Sequence, residues 1–420
     1  MIISQPRRTI AICTAIYFLD GLIHTILGPL APEIARSLLL GNAELGPIFS
    51  ANLIGQCIGL VVFPAIAGRL GHRLTVTIAV VGFGLGQCAS ALADSGAMLF
   101  ALRLITGVFL GGCLPSCLAM VTEEAPADRR GISILTLFTG YGLGAAVAGA
   151  VAAGFADLGG WRIAMVTVGV LSLALSGGVW LWLRDRADLE GAAPEPAAGA
   201  STVLQLMGRR YLVGTLMLWL LFMLMLTISY CLTSWLPTML VEAGHDQSFA
   251  ALSITIFGFG GAIAALGIGL LIDRFGAMAV LLVFLLVAAA LLFATGQAMD
   301  HASRGELTVL LGAAGFCSLG AYGGVNVVLA GFYPDALRAT GVGWAKSVGR
   351  LGTVVAPIAI GLALSAGVAG QTVMSLFGFP ALLAALALAV ISITNAWKTR
   401  EGVGSSPADP TSFWTNRRGT

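Results

Sequence analysis

The amino-acid sequence predicts an all-α membrane protein with about twelve transmembrane helices in two related six-helix bundles. Three observations predict this fold class. Of the 420 residues, 58% are hydrophobic and 10% are charged, and the mean hydropathy is +0.94. Soluble domains carry about 25% charged residues, so this composition indicates a surface that faces lipid. The apolar residues also lie in segments long enough to cross a bilayer, and short motifs recur in both halves.

About twelve apolar segments of roughly 20 residues are separated by charged or turn residues. Because backbone groups in the hydrocarbon core must bond within their own segment, each segment is predicted to be a helix. Spans 1 to 6 are predicted at 10–30, 45–67, 74–93, 97–120, 132–154 and 161–183, and spans 7 to 12 at 211–233, 250–272, 278–297, 307–331, 343–366 and 373–397. Pairs of glycines spaced four apart, such as Gly107 with Gly111 and Gly140 with Gly144, predict close helix packing.

The longest polar stretch separates these two sets of spans and predicts the domain organisation. Residues 1–183 form an N-terminal bundle, 184–210 a cytoplasmic linker rich in Ala, Pro and Gly, and 211–397 a C-terminal bundle. We expect residues 398–420 to form a disordered cytoplasmic tail. Placing the N-terminus in the cytoplasm puts most Lys and Arg residues on that side, as in other membrane proteins. Both termini are therefore predicted to be cytoplasmic.

Two loop motifs recur in the same order in the two halves. The sequence GRLG at 68–71 follows span 2, and DRFG at 273–276 follows span 8. Likewise PADRRG at 126–131 follows span 4, and PDALRATG at 334–341 follows span 10. Parallel repeats of this kind predict two pseudo-symmetric bundles with a substrate site near the bilayer midplane.

At these loops the chain resembles the major facilitator superfamily over nearly its whole length. GLLIDRFG at 269–276 resembles the signature loop of that superfamily, and RLITGVFLGG at 103–112 resembles its arginine–glycine motif. Further segments resemble the aromatic acid:proton symporter family: Asp20-Gly21, Pro115 with TEEAPADRRG at 122–131, SWLPT at 234–238, and YPDALRATGVGWAKSVGRLG at 333–352. The resemblance implies the major facilitator fold and transport of an aromatic acid with protons.

Two positions depart from the family pattern. The first helix of the family carries a second Asp three residues after the first, whereas this chain has Ile23 followed by His24. The first copy of the signature loop carries an acid where this chain has Gly68. Because of Ile23, the proton-coupling arrangement and the substrate implied by the resemblance do not carry over directly. Because of Gly68, neither do the charge contacts that hold the N-terminal half in one state.

Three ionisable residues within predicted spans are candidates for proton coupling, because charge inside the bilayer marks a functional pathway. Asp20 and His24 share one face of span 1, and His titrates near neutral pH, so they form a candidate proton-binding pair. The alternative is a neutral His24 bonded to span 1 or a neighbouring helix, with Asp20 capping a break at Gly21. Arg103 could meet Asp20, and the resemblance implies a role in coupling. Alternatively, Arg103 bonds backbone carbonyls and holds the N-terminal half together.

The candidate substrate-binding residues begin with Arg350 in span 11, whose planar guanidinium suits a carboxylate. The alternative for Arg350 is a structural contact to span 10 or the adjacent loop. Lys346 lies on the same face and could extend to the cytoplasmic surface. Other polar or aromatic side chains could complete the pocket or bond between helices: Asn52, Gln56, Tyr141, Tyr230, Tyr322 and Asn326.

The predicted cytoplasmic loops supply candidate gating residues, namely Asp273, Arg274, Arg338 and Glu123. The resemblance suggests that charge pairs among them hold the cytoplasmic side closed and break when it opens. The alternative is that they anchor the chain at the membrane and cap helices, which we favour for Arg129 and Arg130.

The sequence lacks a phosphate-binding Gly-Lys-Ser/Thr loop and shows no catalytic or metal-ligand constellation, so neither ATP-driven transport nor an enzyme is predicted. No cofactor, metal or nucleic acid is expected. We predict a proton-coupled secondary transporter of the inner (plasma) membrane, functional as a monomer. It would import a small organic anion, an aromatic carboxylate by resemblance. A proton-antiport exporter of organic acids or drugs remains an alternative, as does a non-transporting membrane sensor.

Overall fold

A computed structural model describes residues 5–126, 129–156, 158–183, 205–208 and 211–400. The predicted linker therefore lies outside the described residues except for 205–208, and so does the predicted tail beyond residue 400. The helices of the first half are α1 Gln5–Thr25, α2 Leu27–Leu38, α3 Asn42–Leu70, α4 His72–Ser90, α5 Gly96–Glu124, α6 Arg130–Phe155 and α7 Gly160–Trp182. Those of the second half are α8 Leu212–Glu242, α9 Gln247–Phe275, α10 Ala277–Ala298, α11 Arg304–Phe332, α12 Asp335–Ser365, α13 Gly370–Leu376 and α14 Gly378–Arg400.

The number of membrane spans agrees with the sequence prediction. Eleven helical segments in the described ranges are long and apolar enough to cross a membrane, and a bent pair, α1 and α2, brings the number to as many as 12. The two helices of that pair meet at 41°. Pro29 explains the break, because it has no N–H to donate to the carbonyl of Thr25 and its ring crowds that carbonyl.

Two helical regions run further than the sequence predicted. Span 1 was predicted to end at residue 30, but the bent pair continues to Leu38. Span 7 was predicted to end at residue 233, whereas α8 continues to Glu242. Both extensions carry polar residues, including Glu33, Arg36 and Glu242, which hydropathy assigns to loops. The chain thus remains helical past the apolar segments.

The chain divides into two compact units. Unit 1 contains α1 to α7 together with Thr233–Gly258 and Pro357–Gly370, and unit 2 contains the other parts of the second half. The end of α8, the start of α9 and the end of α12 thus belong with the first half. The predicted division into bundles at 184–210 differs in this respect from the compact units.

Within unit 1, α1 packs on α6, α3 packs on α5, and α4 packs on both α5 and α7. Glycines set these distances: an added Cβ at Gly144 would overlap the Phe18 carbonyl oxygen, and one at Gly107 would overlap that of Asn52. The close packing predicted from the glycine pairs is therefore confirmed. Within unit 2, α10 packs on α11 and α14. Gly349 and Gly352 place α12 against the side chains of α8.

Candidate functional site

Asp20 lies in the second half of α1, five residues before its end, and is buried, with 6% of its surface exposed. The next residue, Gly21, is pressed against α6, where an added Cβ would overlap the carbonyl oxygen of Tyr141. A buried carboxyl group inside a membrane span is characteristic of a functional position.

His24 lies one turn after Asp20 and is half-buried. Its Nδ1 lies 2.9 Å from Nε2 of Gln56 and 3.3 Å from Nδ2 of Asn52, both on α3. Its ring is 6.0 Å from the ring of Tyr141, at an interplanar angle of 50°. The structure therefore brings together four of the residues predicted from sequence, His24, Asn52, Gln56 and Tyr141.

The position of the two amides follows from how α3 packs on α5. The backbone carbonyl of Asn52 lies against Gly107, and that of Gln56 lies against Gly111. Any side chain at these glycines would push the two helices apart. The glycines of the arginine–glycine motif thus set how closely α3, which carries Asn52 and Gln56, packs on α5.

Arg103 on α5 is fully buried, with 0% exposure. Its Nη2 donates to Oε1 of Gln87 and to Oγ of Ser90, each at 2.6 Å, and both partners lie on α4. Its Nε and Nη1 have no hydrogen-bond partner among the described residues. None of its hydrogen bonds in the described ranges reaches Asp20. The observed contacts match the alternative in which Arg103 holds the first half together, although its partners are side chains rather than backbone carbonyls.

Unit 2 contains the other substrate-binding candidates. Arg350 is half-buried on α12. Nη1 of Arg350 has no hydrogen-bond partner in the described part of the chain. The ring of Tyr322 lies 6.2 Å from that of Phe222 in an edge contact. Unit 2 therefore contains one cationic and one aromatic candidate, Arg350 and Tyr322.

Two further candidates in unit 2 have different surroundings. Asn326 donates from Nδ2 to the carbonyls of Tyr322 and Gly323, at 3.0 and 3.3 Å, so its amide bonds its own helix. It shares a face with Tyr322, as the spacing predicts. Tyr230 on α8 is half-buried. A substrate contact for either residue stays a prediction.

The gating candidates lie at helix ends. Asp273 and Arg274 are exposed in the last turn of α9, and the Arg274 guanidinium lies 5.3 Å from the ring of Phe275. Glu123 is exposed in the last turn of α5, and Arg338 is half-buried in the first turn of α12. Their role in gating stays a prediction.

A polar cluster lies at the predicted outer end of unit 1, and no sequence pattern predicted it. Gln247 accepts a hydrogen bond from Arg36 and donates from Nε2 to Oε2 of Glu33 at 3.2 Å. Asn42 donates from Nδ2 to Oε1 of Glu242 at 2.8 Å. We call these five residues the outer clasp. They join α2 and α3 to the C-terminal end of α8 and to the N-terminal end of α9.

Backbone contacts close the same end of unit 1. An added Cβ at Gly28 would overlap the carbonyl oxygen of Thr233, and one at Gly46 would lie 2.7 Å from that of Pro357. The rings of Phe49 and Trp235 meet edge to face at 5.1 Å. Trp235 belongs to the SWLPT segment at 234–238, which is the one part of this region that the sequence had singled out.

Comparisons with known proteins agree with this architecture. The family model described as Major Facilitator Superfamily matches residues 13–294. The chain is 32% identical over 406 residues to the gallate transporter of Pseudomonas putida, covering 90% of each chain. It is 31% identical over 417 residues to the 4-hydroxybenzoate transporter PcaK of the same species, covering 92% of this chain and 93% of the relative. It is 32% identical over 395 residues to the 3-(3-hydroxy-phenyl)propionate transporter of Escherichia coli (strain K12), covering 92% and 94%.

Solved structures show the same fold at low sequence identity. A D-xylose-proton symporter matches with a TM-score of 0.77 and 17% identity, covering 92% of this chain and 97% of the other. A bacterial homolog of the human lysosomal transporter Spinster, inward-facing and unoccupied, matches with a TM-score of 0.76 and 19% identity. That match covers 94% of this chain and 98% of the other.

Proposed function

This chain belongs to the major facilitator superfamily, and from that premise we propose that it imports a small aromatic carboxylate together with protons. It is a multi-pass membrane transporter and not an enzyme. The single observation that carries the proposed substrate class is similarity over about nine-tenths of the chain to three relatives named as aromatic acid transporters: 90%, 92% and 92% of this chain is covered. Two of those names specify a hydroxylated ring, so a hydroxylated aromatic acid is the substrate class we favour.

Asp20 is the proposed proton site. It is buried on α1 beside a close contact with α6, so its ionised form is costly and its protonation state can be coupled to movement of that helix pair. Arg103 is buried in the same unit but bonds α4, so we assign it the role of holding α4 and α5 together.

Arg350 is the proposed binding group for the substrate carboxylate. Its Nη1 has no hydrogen-bond partner in the described part of the chain, and the same unit contains Tyr322, whose ring is suited to stacking on an aromatic substrate. A planar fork of N–H donors binds a carboxylate through two parallel hydrogen bonds, which a lysine cannot provide.

Alternating access is the proposed transport cycle, with the outer clasp as one of its gates. The clasp and the contacts of Gly28 and Gly46 support a state in which the outer end is closed. Opening that end requires Glu242 and Gln247 to leave Asn42 and Glu33. Asp273, Arg274, Arg338 and Glu123 are the proposed gating residues at the cytoplasmic end. We place the protein in the plasma membrane as a functional monomer.

Uptake of labelled 4-hydroxybenzoate into proteoliposomes tests this function. With an alkaline lumen we expect accumulation above the external concentration, and a protonophore should abolish it. Protein-free vesicles control for passive entry of the acid. Equal uptake with and without the gradient would contradict proton coupling, and no uptake of any aromatic acid would contradict the substrate class. The Asp94→Asn variant, which changes an exposed acid between α4 and α5, serves as a control for substitutions of Asp20.

A further inference from the structure

Three helices pass from one compact unit to the other, and each does so at or within one turn of a residue that weakens a helix. Helix α8 enters unit 1 at Thr233, α9 leaves it at Gly258, and α12 enters it at Pro357. Pro237, one turn after Thr233, has no N–H to donate to the Thr233 carbonyl, and its ring crowds that carbonyl. Pro357 acts in the same way on the carbonyl one turn before it. The crossings in α8 and α12 therefore coincide with positions where a helix bends readily.

Helix α9 changes its packing partner in less than one turn. An added Cβ at Gly258 would lie 2.8 Å from Cα of Ala146, which is on α6 in unit 1. One at Gly260 would overlap the carbonyl oxygen of Gly312, which is on α11 in unit 2. Because glycine restrains the backbone least, this crossing is also a place where the helix can bend.

The segment between the first two crossings, Thr233–Gly258, is tied together at its turn, and we call it the outer hairpin. Gly244 follows the end of α8 with a φ of 91°, and its N–H donates to the carbonyl of Val241 at 3.0 Å. Asp246 caps the start of α9, where its Oδ2 accepts from the N–H of Phe249 at 3.2 Å. Since both helix ends are bonded at the turn, we expect the hairpin to move as one body.

The outer hairpin is held on the first half by close backbone contacts and hydrogen bonds. The outer clasp holds it on α2 and α3. On α6, an added Cβ at Gly149 would overlap the carbonyl oxygen of Ala251, and the N–H of Ala150 donates to Oγ1 of Thr255 at 2.8 Å. Water can replace each of these hydrogen bonds when the hairpin separates from the first half.

We propose that the outer hairpin is a lid at the predicted outer end, and that it opens by bending α8 at Pro237 and α9 at Gly258 while the inner parts of both helices stay in place in unit 2. Pro357 gives α12 a third hinge, so its outer end can follow the lid. Rocking of two rigid bundles would instead carry the hairpin along with unit 2. The inference rests on the proposed function, because it specifies how the outer gate of the alternating-access cycle opens.

Distances between pairs of spin labels distinguish a lid from rigid bundles. One label is placed on the hairpin at Leu252→Cys, and the second either in the first half at Leu92→Cys or in unit 2 at His301→Cys; all three side chains are exposed. Cys57 and Cys88, the two cysteines that are not buried, are replaced by Ala. Both distances are measured in proteoliposomes by pulsed electron paramagnetic resonance, with and without 4-hydroxybenzoate, at acidic and neutral pH.

We expect every condition that lengthens the 92–252 distance to change the 252–301 distance as well, by several ångströms. A longer 92–252 distance at a constant 252–301 distance would overturn the lid in favour of rigid bundles. A 92–252 distance that stays fixed while the same vesicles accumulate the acid would overturn it too. If the vesicles accumulate no aromatic acid, the proposed function fails, and the lid is then decided by a variant that needs no substrate.

Gly149→Ala is that variant, because its new Cβ would overlap the Ala251 carbonyl oxygen and push the hairpin off α6. We expect both label distances to change without any ligand. Gly154→Ala, on the same helix, meets nothing within 4 Å and should change neither distance. Unchanged distances in Gly149→Ala, or a change in the 92–252 distance alone, would overturn the lid whether or not the protein transports aromatic acids.

Pro237→Ala tests the hinge itself. It restores an N–H that can bond the Thr233 carbonyl, so bending α8 must break one more backbone hydrogen bond. We expect the fraction of the distance distribution in the open state to fall about fivefold, measured in the Gly149→Ala background. Pro64→Ala removes a proline inside α3, away from any crossing, and should leave that fraction unchanged. An open fraction that Pro237→Ala leaves unchanged would overturn Pro237 as the hinge.

Discussion

Gly144 offers a sharp test of the close packing between α1 and α6. In Gly144→Ala the new Cβ would overlap the Phe18 carbonyl oxygen and lie 2.8 Å from the Phe18 carbonyl carbon and 3.0 Å from the Leu22 nitrogen. Ordinary contacts of a Cβ are 3.4–4 Å, so α6 must move away from α1 by about 1 Å. Overpacking of this kind costs about 1–3 kcal/mol.

Gly142, two residues earlier on the same helix, is the matched control. An added Cβ there meets nothing within 4 Å. Gly142→Ala should therefore leave the packing unchanged, and the higher helix propensity of Ala favours the variant by up to about 1 kcal/mol. Both substitutions replace Gly with Ala. Gly144→Ala is predicted to destabilise the protein, whereas Gly142→Ala is predicted to leave its stability unchanged or slightly increased.

Thermal unfolding of both variants in the same detergent measures the difference. At about 2 °C per kcal/mol for a chain of this size, we expect Gly144→Ala to lower Tm by about 2–6 °C and Gly142→Ala to leave it unchanged or slightly raised. Because Gly144 contacts the α1 backbone between Phe18 and Leu22, binding of 4-hydroxybenzoate should also weaken in Gly144→Ala. Equal Tm values for the two variants would refute the reasoning.

Three further predictions follow from the site and the clasp. Asp20→Asn should abolish accumulation of 4-hydroxybenzoate against its gradient and preserve counterflow exchange in vesicles; accumulation that persists would remove Asp20 as the proton site. Arg350→Met should raise the KM for benzoate about tenfold or more, because a charge-assisted pair is lost, whereas a KM equal to that of the unmodified protein would exclude a carboxylate contact. In a double variant, Asn42→Cys with Glu242→Cys, oxidation should cross-link the clasp and block uptake, and a reductant should restore it; each single variant is the control, and transport that continues while cross-linked would show that the clasp need not open.

Most of the helical architecture could be predicted from sequence, because hydropathy reports directly which segments lie in lipid. The exceptions lie where helices continue through polar residues. Hydropathy ends span 1 near residue 30, yet α2 continues to Leu38 because Glu33 and Arg36 are bonded within the folded protein, to Gln247. Sequence patterns contain no information on such partners, which lie far away along the chain.

Some features of the candidate site could likewise be predicted from sequence, and others depend on how the helices pack. The spacing of Asp20 and His24 was enough to place them on one face, and the amides of α3 were candidates either for the pocket or for bonds between helices. That both amides contact His24 is a tertiary property, because it depends on how α3 lies beside α1 in the folded protein. The partners of Arg103 on α4 are likewise a tertiary property.

Direct measurement of proton movement tests the central claim, that an aromatic acid and protons enter together. A pH-sensitive dye is sealed inside proteoliposomes with equal pH on both sides, and 4-hydroxybenzoate is added outside. We predict acidification of the lumen that is faster than in protein-free vesicles and that is lost in Asp20→Asn but not in Asp94→Asn. Protein-dependent entry of the labelled acid without protein-dependent acidification, or with alkalinisation, would contradict proton symport.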